Sequence, residues 1–491
     1  MQAGRLTSAR LTERFLQRVA TYDRSGPRLN AVLEVNPQAG EIAESLDRER
    51  ASGGIRGPLH GIPVLLKDNI ATADRLHTSA GSLALRDCIA PHDAFLVMRL
   101  REAGAVILGK ANMTEWANFM TTGMPAGYSS RGGQVKNPYG NGLSPGGSSS
   151  GSAVAVAAHL CTVAVGTETS GSILSPANQN SVVGIKPTLG LVSRSGIVPI
   201  AGSQDTAGPF ARTVADAAVL LGAMTGIDAG DRATRASRRH ARPDYREFLD
   251  ARGLEGVRLG VPRVTFFDRL GAAETPLIEA ALRTLSSLGA TLVDPADIPT
   301  AREAADFRSD VMLYEFKREL NRYLAGLGET SPIRSLRELI RFNEARPREM
   351  LRFGQVLLLA AQSTGGLRTS TYSLSRAEDI RLARTEGIDQ TMERERLDAL
   401  VFPGWTGAAI GARAGYPSVI VPAGYTAEGA SSGRTEGASS GRTEGASSGR
   451  TEGAPIGLTF LGRAWSEPTL LRLAHAFESA TRHRRPPESI A

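Results

Sequence analysis

The sequence predicts an α/β fold, because apolar segments typical of buried strands alternate with amphipathic helical segments along the chain. A helix, a glycine and a strand follow one another at 93–108 and again at 276–293, with Gly104 and Gly289 before the two strands. The 491 residues are 41% hydrophobic and 22% charged, which is ordinary for a globular protein with a sizeable core. That length fits two or three average domains or one large α/β domain with insertions.

Capping residues and hydrophobic periodicity give the elements in the first quarter of the chain. Thr7 precedes apolar residues that share one helical face, so a capped helix is expected over 8–22. The run Gly61–Asn69 predicts a buried strand with Lys67 at its exit. The other elements expected here are a strand at 31–35, a helix at 41–52, a helix capped by Asp93 that runs to Ala103, and a strand at 105–108.

Residues from about 230 to 395 form a region that is rich in arginine and helical in pattern. Amphipathic helices are expected over 306–325 and 335–345. We interpret this region as a variable helical insertion or cap that either shapes a substrate entrance or covers the sheet. Core strands are expected to resume at 397–402 and 416–422.

Residues 428–451 are three copies of the octapeptide EGASSGRT, and the low-complexity segment extends to 453. The repeat has no apolar residue larger than alanine, so it cannot bury a core. A tandem duplication that lengthened a hairpin loop explains it best, because loop-closure entropy grows slowly with length. We expect a disordered loop without function.

Composition excludes several classes of function. The net charge is +7, but the 57 Lys and Arg residues are spread among 50 acids without interleaved aromatic residues, so no nucleic-acid partner is expected. Cys88 and Cys161 match no metal-binding spacing and are interpreted as buried, reduced thiols. No apolar run of transmembrane length and no signal peptide is visible, which predicts a cytoplasmic protein if Met1 is the natural start.

The stretch from Asn141 to Arg212 organises the rest of the chain. Nine of the eleven residues of 142–152 are Gly or Ser, and a second Gly/Ser loop follows at 166–172. An alanine-rich segment and a β-branched segment lie between the two loops, which a flexible linker would not enclose. Small residues in such loops let the backbone approach another group closely and turn N–H groups and hydroxyls inward.

Two alternative interpretations of these loops are disfavoured. Gly147–Gly151 satisfies G-x-S-x-G around Ser149, but a nucleophile elbow needs a preceding strand and a partner histidine. Loop residues precede this motif, and His475 and His483 lie in an expected surface helix and a basic tail. A phosphate cradle is disfavoured because G-x-x-x-x-G-K-[ST] is absent.

A third interpretation joins Lys67, Ser148 and Ser172. A serine hydroxyl needs a base, and a neutral lysine can serve where no suitable histidine is present. Lysine acts as a base when desolvation lowers its pKa, and the apolar strand before Lys67 would bury its stem. The turn of small residues around Ser172 is suited to presenting consecutive N–H groups to a developing oxyanion.

Blocks of residues in matching order and spacing make the chain resemble the amidase signature family over nearly its whole length. These blocks are His60–Asn69, Gly109–Asn112, Gly146–Ser152, Gly166–Ala177, Gly184–Thr188, Asp205–Pro209, Arg212–Asp216 and Tyr416–Pro422. The resemblance implies a single α/β domain with a mixed, mostly parallel central sheet between helices. It also implies hydrolysis of a carboxylic amide to acid and ammonia, with no metal or organic cofactor.

The resemblance further implies a Ser–Ser–Lys triad. Ser172 would be the nucleophile that forms an acyl-enzyme, and Ser148, held by a cis peptide bond in this family, would relay the proton. Lys67 would be the neutral general base and then the acid that protonates the leaving ammonia. The oxyanion hole would consist of the backbone N–H groups of Thr169, Ser170, Gly171 and Ser172.

Departures from the family pattern remove none of these groups. Ser150 stands where many members have Gly, and Ser170 stands where Gly or Asp is frequent. Leu174 replaces an arginine common in glutaminyl amidotransferase A subunits, which argues against a glutamine-hydrolysing role within a complex. That role and a catalytically inactive scaffold remain the alternatives to a free-standing amidase.

Some segments look most like those of bacterial peptide amidases, which deamidate C-terminally amidated peptides. These segments are Thr78–Ala84, Trp116–Asn118, Ser130–Gln134 and Tyr314–Lys317. Aryl, aliphatic and fatty-acid amides are the alternative substrates within the family. The expected partner is a small or short-peptide amide, and the expected state is a monomer or homodimer.

Overall fold

The computed structural model describes residues 1, 4–427 and 453–490. Its strands are β1 (Val32–Val35), β2 (Pro63–Lys67), β3 (Val106–Ala111), β4 (Tyr128–Ser129), β5 (Gly133–Gln134), β6 (Val163–Glu168), β7 (Val183–Lys186), β8 (Thr206–Ala211), β9 (Arg258–Gly260), β10 (Thr291–Val293), β11 (Ala399–Pro403), β12 (Ser418–Tyr425) and β13 (Pro455–Leu461).

The helices share the two faces of the sheet and the 301–394 region. They are α1 (Ser8–Arg18), α2 (Ala39–Ala51), α3 (Phe95–Glu102), α4 (Ser150–Ala157), α5 (Leu174–Gln179), α6 (Val214–Met224), α7 (Thr275–Ser287), α8 (Ala301–Asp306), α9 (Val311–Gly326), α10 (Leu336–Glu344), α11 (Pro347–Met350), α12 (Val356–Ser363), α13 (Ser370–Ile380), α14 (Gln390–Arg394), α15 (Ala408–Ala414) and α16 (Glu467–Thr481).

Eleven of the described strands form one mixed sheet in the order β1-β3-β2-β6-β8-β7-β12-β13-β11-β9-β10. The four parallel pairs lie in two groups, β3-β2-β6 and β11-β9-β10, and six antiparallel pairs join the remaining neighbours. The predicted α/β fold with a mixed sheet between helices is confirmed. Parallel pairing holds within the two groups, whereas connections such as the β12–β13 hairpin impose antiparallel pairs between them.

Alternate residues of the central strands pack against helices on opposite faces of the sheet. Val64 and Leu66 of β2 belong to a core with α3, α6, α7 and α16. Leu65, between them, belongs to a second core with α1, α2 and α4. Because successive strand side chains point to opposite faces, a strand covered on both sides reads as a continuous apolar run. That is why Pro63–Leu66 shows no polar alternation.

Most expected elements lie within a few residues of their observed bounds. Thr7 caps α1 by accepting a hydrogen bond from the Arg10 N–H at 3.1 Å, as expected. The expectation that Asp93 caps the next helix is wrong, because α3 begins after Ala94. Asp93 instead pairs with Arg101, at 2.9 Å, and accepts from the Ala73 N–H.

The helical character predicted for about 230–395 is found mainly from Ala301 to Arg394. Before it, β9 and β10 extend the main sheet by parallel pairing with β11 and with each other. Phe316 of α9, Leu339 of α10 and Leu358 of α12 belong to a separate apolar core, which also includes Met113 and Trp116.

The octapeptide repeat at 428–451 and the next residue, 452, lie outside the described residues. The expectation of a disordered loop there therefore stays a prediction. The described residues on either side pair as a hairpin, with Tyr425 opposite Pro455. Within the described part of the chain, no helix combines the length and apolar character needed to cross a membrane.

We expect Gly151→Ala to lower the free energy of unfolding by about 1–3 kcal/mol, because overpacking forces neighbouring backbone to shift. A Cβ at Gly151 would lie 2.3 Å from the Ala31 carbonyl oxygen and 2.4 Å from that of Asn112. The measurement is the urea unfolding midpoint.

Gly40→Ala is the matched control, since it is also a helical glycine but its Cβ would meet nothing within 4 Å. This change should raise the free energy of unfolding by about 0.4–1 kcal/mol. Equal effects of the two substitutions would contradict the packing argument.

Candidate active site

The site lies where two neighbouring parallel strands end. β2 and β6 pair in parallel, with Leu66 opposite Val165. Lys67 is the last residue of β2, and Thr167 and Glu168 are the last residues of β6. Carboxyl ends of parallel strands lie at one edge of a sheet, where ligand sites of α/β folds are common.

The Lys67 ammonium group contacts two hydroxyls and a carbonyl. Its Nζ lies 2.8 Å from Ser148 Oγ, 2.9 Å from Thr167 Oγ1 and 3.3 Å from the Thr167 carbonyl oxygen. The side chain is fully buried. None of the ion pairs among the described residues includes it.

Burial lowers the pKa of Lys67 to about 7, since desolvation disfavours the charged form. The more distant charges of Glu168 and Asp205 act in the opposite direction and limit the decrease. A substantial fraction of Lys67 is therefore neutral near pH 7, and a neutral amine can accept a proton.

Ser148 lies in the first Gly/Ser loop, just before α4. The Gly147–Ser148 peptide bond is cis, and the Ser148 carbonyl accepts a hydrogen bond from the Thr114 N–H at 3.0 Å. Gly147 packs so closely that a Cβ there would lie 2.6 Å from Thr114 Oγ1. The loop backbone therefore holds the Ser148 hydroxyl against Lys67.

Ser172 lies in the second Gly/Ser loop, between β6 and α5. The two loops are joined through the Ser149 N–H, which donates to the Ser172 carbonyl at 3.3 Å. Ser172 is 9% exposed, and its hydroxyl is in none of the hydrogen bonds among the described residues. The structure thus brings Lys67 and Ser148 into contact and places Ser172 beside them without a hydroxyl–hydroxyl hydrogen bond.

The loop before Ser172 presents N–H groups that have no acceptor within the described part of the protein. They belong to Thr169, Ser170, Gly171 and Ser172. The next two N–H groups, of Ile173 and Leu174, donate instead to Glu168 Oε2 at 2.6 and 3.0 Å. Unpaired N–H groups of consecutive residues beside a hydroxyl are an arrangement that can bind an oxyanion.

Gly171 is needed for this turn. Its φ of +86° is in the left-handed region, and the aromatic ring of Trp405 lies 3.3 Å from the place of a Cβ. Glycine adopts this conformation without steric cost. The indole ring thereby forms one boundary of the turn that carries Ser172.

Four residues of the site were given no role from the sequence. Glu168 anchors the start of α5, and Asp205 accepts from Ile200 and Ala201 N–H groups at 2.8 and 2.9 Å and pairs with the Thr169 hydroxyl. Burial raises the pKa of Asp205 to about 6. Thr167 accepts a hydrogen bond from Lys67, and the Asn69 side-chain amide contacts the Thr167 hydroxyl. Their positions inside the recognised blocks were the available signal.

A cleft of about 1130 Å³ opens above this edge of the sheet. Its inner wall includes Asn69 and Thr167–Thr169, although Lys67, Ser148 and Ser172 are not among its lining residues. Part of the outer wall comes from the helical region and consists of Glu315, Arg318, Glu319, Arg322, Tyr323 and Tyr372. The helical region therefore supplies part of the wall of a cleft whose lining also includes Asn69 and Thr167–Thr169.

The nucleophile-elbow interpretation of Ser149 is not supported by its contacts. Its hydroxyl donates to the Thr167 carbonyl at 3.0 Å and accepts from the Thr167 N–H at 3.2 Å, so backbone groups occupy it. No cluster of three or more His, Cys, Asp or Glu suited to a metal ion is found among the residues that the structure describes.

Comparisons with known proteins find a family and relatives that are described as amidases. The family model described as Amidase matches residues 10–471. The chain is similar to the native peptide amidase from Stenotrophomonas maltophilia, with 48% identity, a TM-score of 0.91 and coverage of 100% of this chain and 97% of that one. It is 42% identical to a probable amidase of Arabidopsis thaliana over 99% of this chain and 89% of the plant protein. It is 35% identical to a putative amidase of Schizosaccharomyces pombe over 99% of this chain and 85% of the yeast protein.

We expect Glu168→Ala to lower the free energy of unfolding by about 2–4 kcal/mol, because it leaves the buried Ile173 and Leu174 N–H groups without an acceptor. Glu168→Gln retains an oxygen acceptor and should cost less. Urea unfolding of both variants tests this, and an equal loss for both would contradict it.

Proposed function

Since the chain belongs to the amidase family, and is an amidase, we propose that Lys67, Ser148 and Ser172 form the triad with which it hydrolyses a carboxylic amide. The proposed substrates are C-terminally amidated peptides. The observation that carries the triad is the contact of 2.8 Å between a fully buried lysine, which has no ion-pair partner among the described residues, and the Ser148 hydroxyl.

The first step is transfer of a proton from Ser172 to Ser148 as Ser148 gives its own proton to neutral Lys67. Ser172 Oγ attacks the amide carbonyl carbon, and the carbonyl oxygen becomes an oxyanion. The N–H groups of residues 169–172 stabilise this charge, since they have no other acceptor among the described residues. Preorganised donors of this kind typically supply the largest electrostatic part of catalysis.

Collapse of the tetrahedral intermediate breaks the C–N bond. The Lys67 ammonium returns its proton through Ser148 to the leaving nitrogen, so ammonia departs and Ser172 holds the acyl group as an ester. Water then gives a proton through Ser148 to Lys67 and attacks the ester carbonyl carbon. When this second intermediate collapses, Lys67 returns the proton through Ser148 to Ser172 Oγ, and the carboxylic acid leaves. The proton count closes because Lys67 ends neutral, as it began.

Two observations support a peptide amide over a small aliphatic amide. The chain shares 48% identity over its whole length with a peptide amidase. The cleft of about 1130 Å³ is slightly larger than ordinary ligand pockets of about 300–1,000 Å³, which gives room for several residues of a peptide.

We expect the protein to release ammonia from a C-terminally amidated dipeptide, with the free peptide acid as the other product. Ser172→Ala and Lys67→Met should each lower kcat/KM at least about a thousandfold, because each removes a group that acts in the transition state. Ammonia release measured at saturating substrate gives kcat, and at limiting substrate it gives kcat/KM.

Lys186→Met is the matched control for the loss of a buried lysine. Lys186 is also fully buried, but its ammonium group donates to the Tyr416 and Pro187 carbonyls. This variant should lose stability without a comparable loss of kcat/KM in the folded fraction. Full activity of Ser172→Ala would reject the triad, whereas an inert native protein on peptide amides would reject only the substrate class and direct the assay to aryl and aliphatic amides.

We expect kcat/KM to rise with pH about tenfold per unit below pH 7 and to level above it. The reason is that Lys67, with a pKa of about 7, must be neutral to accept the proton, and protonation below that pH removes the base. A pH profile of kcat/KM measures this midpoint. A midpoint near pH 10, the ordinary range of lysine, would contradict the proposed base.

A further inference from the structure

A neutral lysine base must direct its single lone pair at the correct neighbour. The Lys67 amine then has two hydrogens and one lone pair, and three oxygens surround it. The Thr167 carbonyl can only accept, so it takes one hydrogen. Ser148 must donate for catalysis to proceed, so the remaining hydrogen has to go to Thr167 Oγ1.

The Thr167 hydroxyl is therefore the group that decides productive geometry. If it donates its hydrogen to Lys67, the lone pair is occupied there, and Lys67 can only donate to Ser148. If it accepts from Lys67, the lone pair faces Ser148. A third group must hold the Thr167 hydrogen away from Lys67.

Asn69 is the group in position to do so. Its side-chain amide lies 3.0 Å from Thr167 Oγ1, with the nitrogen Nδ2 facing the hydroxyl and the oxygen Oδ1 buried. In this orientation Oδ1 has no partner among the described residues, and the Thr167 hydrogen finds no acceptor other than Lys67. The two halves of an amide have nearly the same shape, so hydrogen bonding decides their orientation.

We infer that Asn69 is a positioning residue that presents Oδ1 to the Thr167 hydroxyl and thereby turns the lone pair of Lys67 toward Ser148. When Oδ1 faces the hydroxyl, Thr167 donates to Asn69 and accepts from Lys67. The amide nitrogen then takes the buried place of the orphaned oxygen, and the Thr167 hydrogen gains an acceptor other than Lys67. This inference rests on the proposed function, since it concerns the same base.

Asn69→Leu should lower kcat roughly tenfold or more, including on the plateau of its pH profile. The reason is that in part of the neutral Lys67 population the lone pair then accepts from Thr167 and does not face Ser148. KM should change little. The midpoint of the kcat/KM profile should move to lower pH, because the freed Thr167 hydroxyl stabilises neutral Lys67. Glu168 and Asp205, the charged groups that act on Lys67, are unchanged in this variant.

Asn69→Asp supplies the opposite readout. A carboxylate only accepts, so Thr167 still donates to residue 69 and the plateau should stay within a few-fold of the native value. The added negative charge favours the ammonium form of Lys67, so the midpoint should move to higher pH. A large loss of the kcat plateau in Asn69→Asp would overturn the inference. This variant can be measured even if Asn69→Leu fails to fold.

A double-mutant cycle tests whether Asn69 acts through the Thr167 hydroxyl. On a Thr167→Val background, Asn69→Leu should change kcat less than about twofold, whereas independent effects would multiply. Thr167→Ser keeps the hydroxyl and should restore the sensitivity to Asn69→Leu. Multiplying effects, or a native plateau and midpoint in Asn69→Leu, would reject the inference.

Asn343→Leu controls for the loss of a buried asparagine. Its Nδ2 donates to Gln355 Oε1 at 2.9 Å, and its Oδ1 is likewise buried without a partner among the described residues. It lies on α10 and does not line the cleft. The Asn343→Leu variant should change the urea unfolding midpoint and leave the pH profile of kcat/KM unchanged. An active Lys67→Met would instead reject the proposed base itself, so the two failures are distinguishable.

Discussion

This site depends on the burial of the Lys67 ammonium group, for which the described part of the chain supplies no carboxylate partner. Taking a charge out of water costs several kcal/mol, and a buried ionisable group is usually either paired or made neutral by a shift of its pKa. Lys67 has two hydroxyls and a carbonyl instead, so the free-energy cost appears as a lowered pKa. The fold thereby keeps a substantial fraction of Lys67 neutral near pH 7.

Lys67 is not alone in being buried at a strand end, and the comparison shows what distinguishes it. Lys110 at the end of β3 and Lys186 at the end of β7 are also fully buried, and burial lowers the pKa of each to about 8. Lys110 donates to the Ile70 carbonyl and the Thr78 hydroxyl, and Lys186 donates to carbonyls. Of these three lysines, Lys67 is the one whose contacts include a hydroxyl from the Gly/Ser loops.

The sequence predicted those parts of the fold and site that depend on local pattern. The strand that ends at Lys67 was predictable because a run of apolar residues stops there, and the Gly/Ser loops because nothing larger fits: a Cβ at Gly146 would lie 2.6 Å from Pro176 Cα. The sheet order was not predictable, since nothing local records that β7 lies beside β12. The roles of Glu168 and Asp205 were missed because an isolated carboxyl in a motif does not reveal which backbone N–H groups it will meet.

The position of Thr167 follows from where strand pairing stops. β2 and β6 pair only as far as Leu66 and Val165, so the Thr167 carbonyl lies two residues beyond the last pair with β2 and is not used by it. That carbonyl accepts instead from Lys67 and from the Ser149 hydroxyl. A flexible lysine has no ring to fix the direction of its lone pair, unlike histidine, so acceptors of fixed direction must supply it. The frayed end of a parallel strand pair provides one such acceptor in the backbone itself, where no substitution of a side chain can remove it.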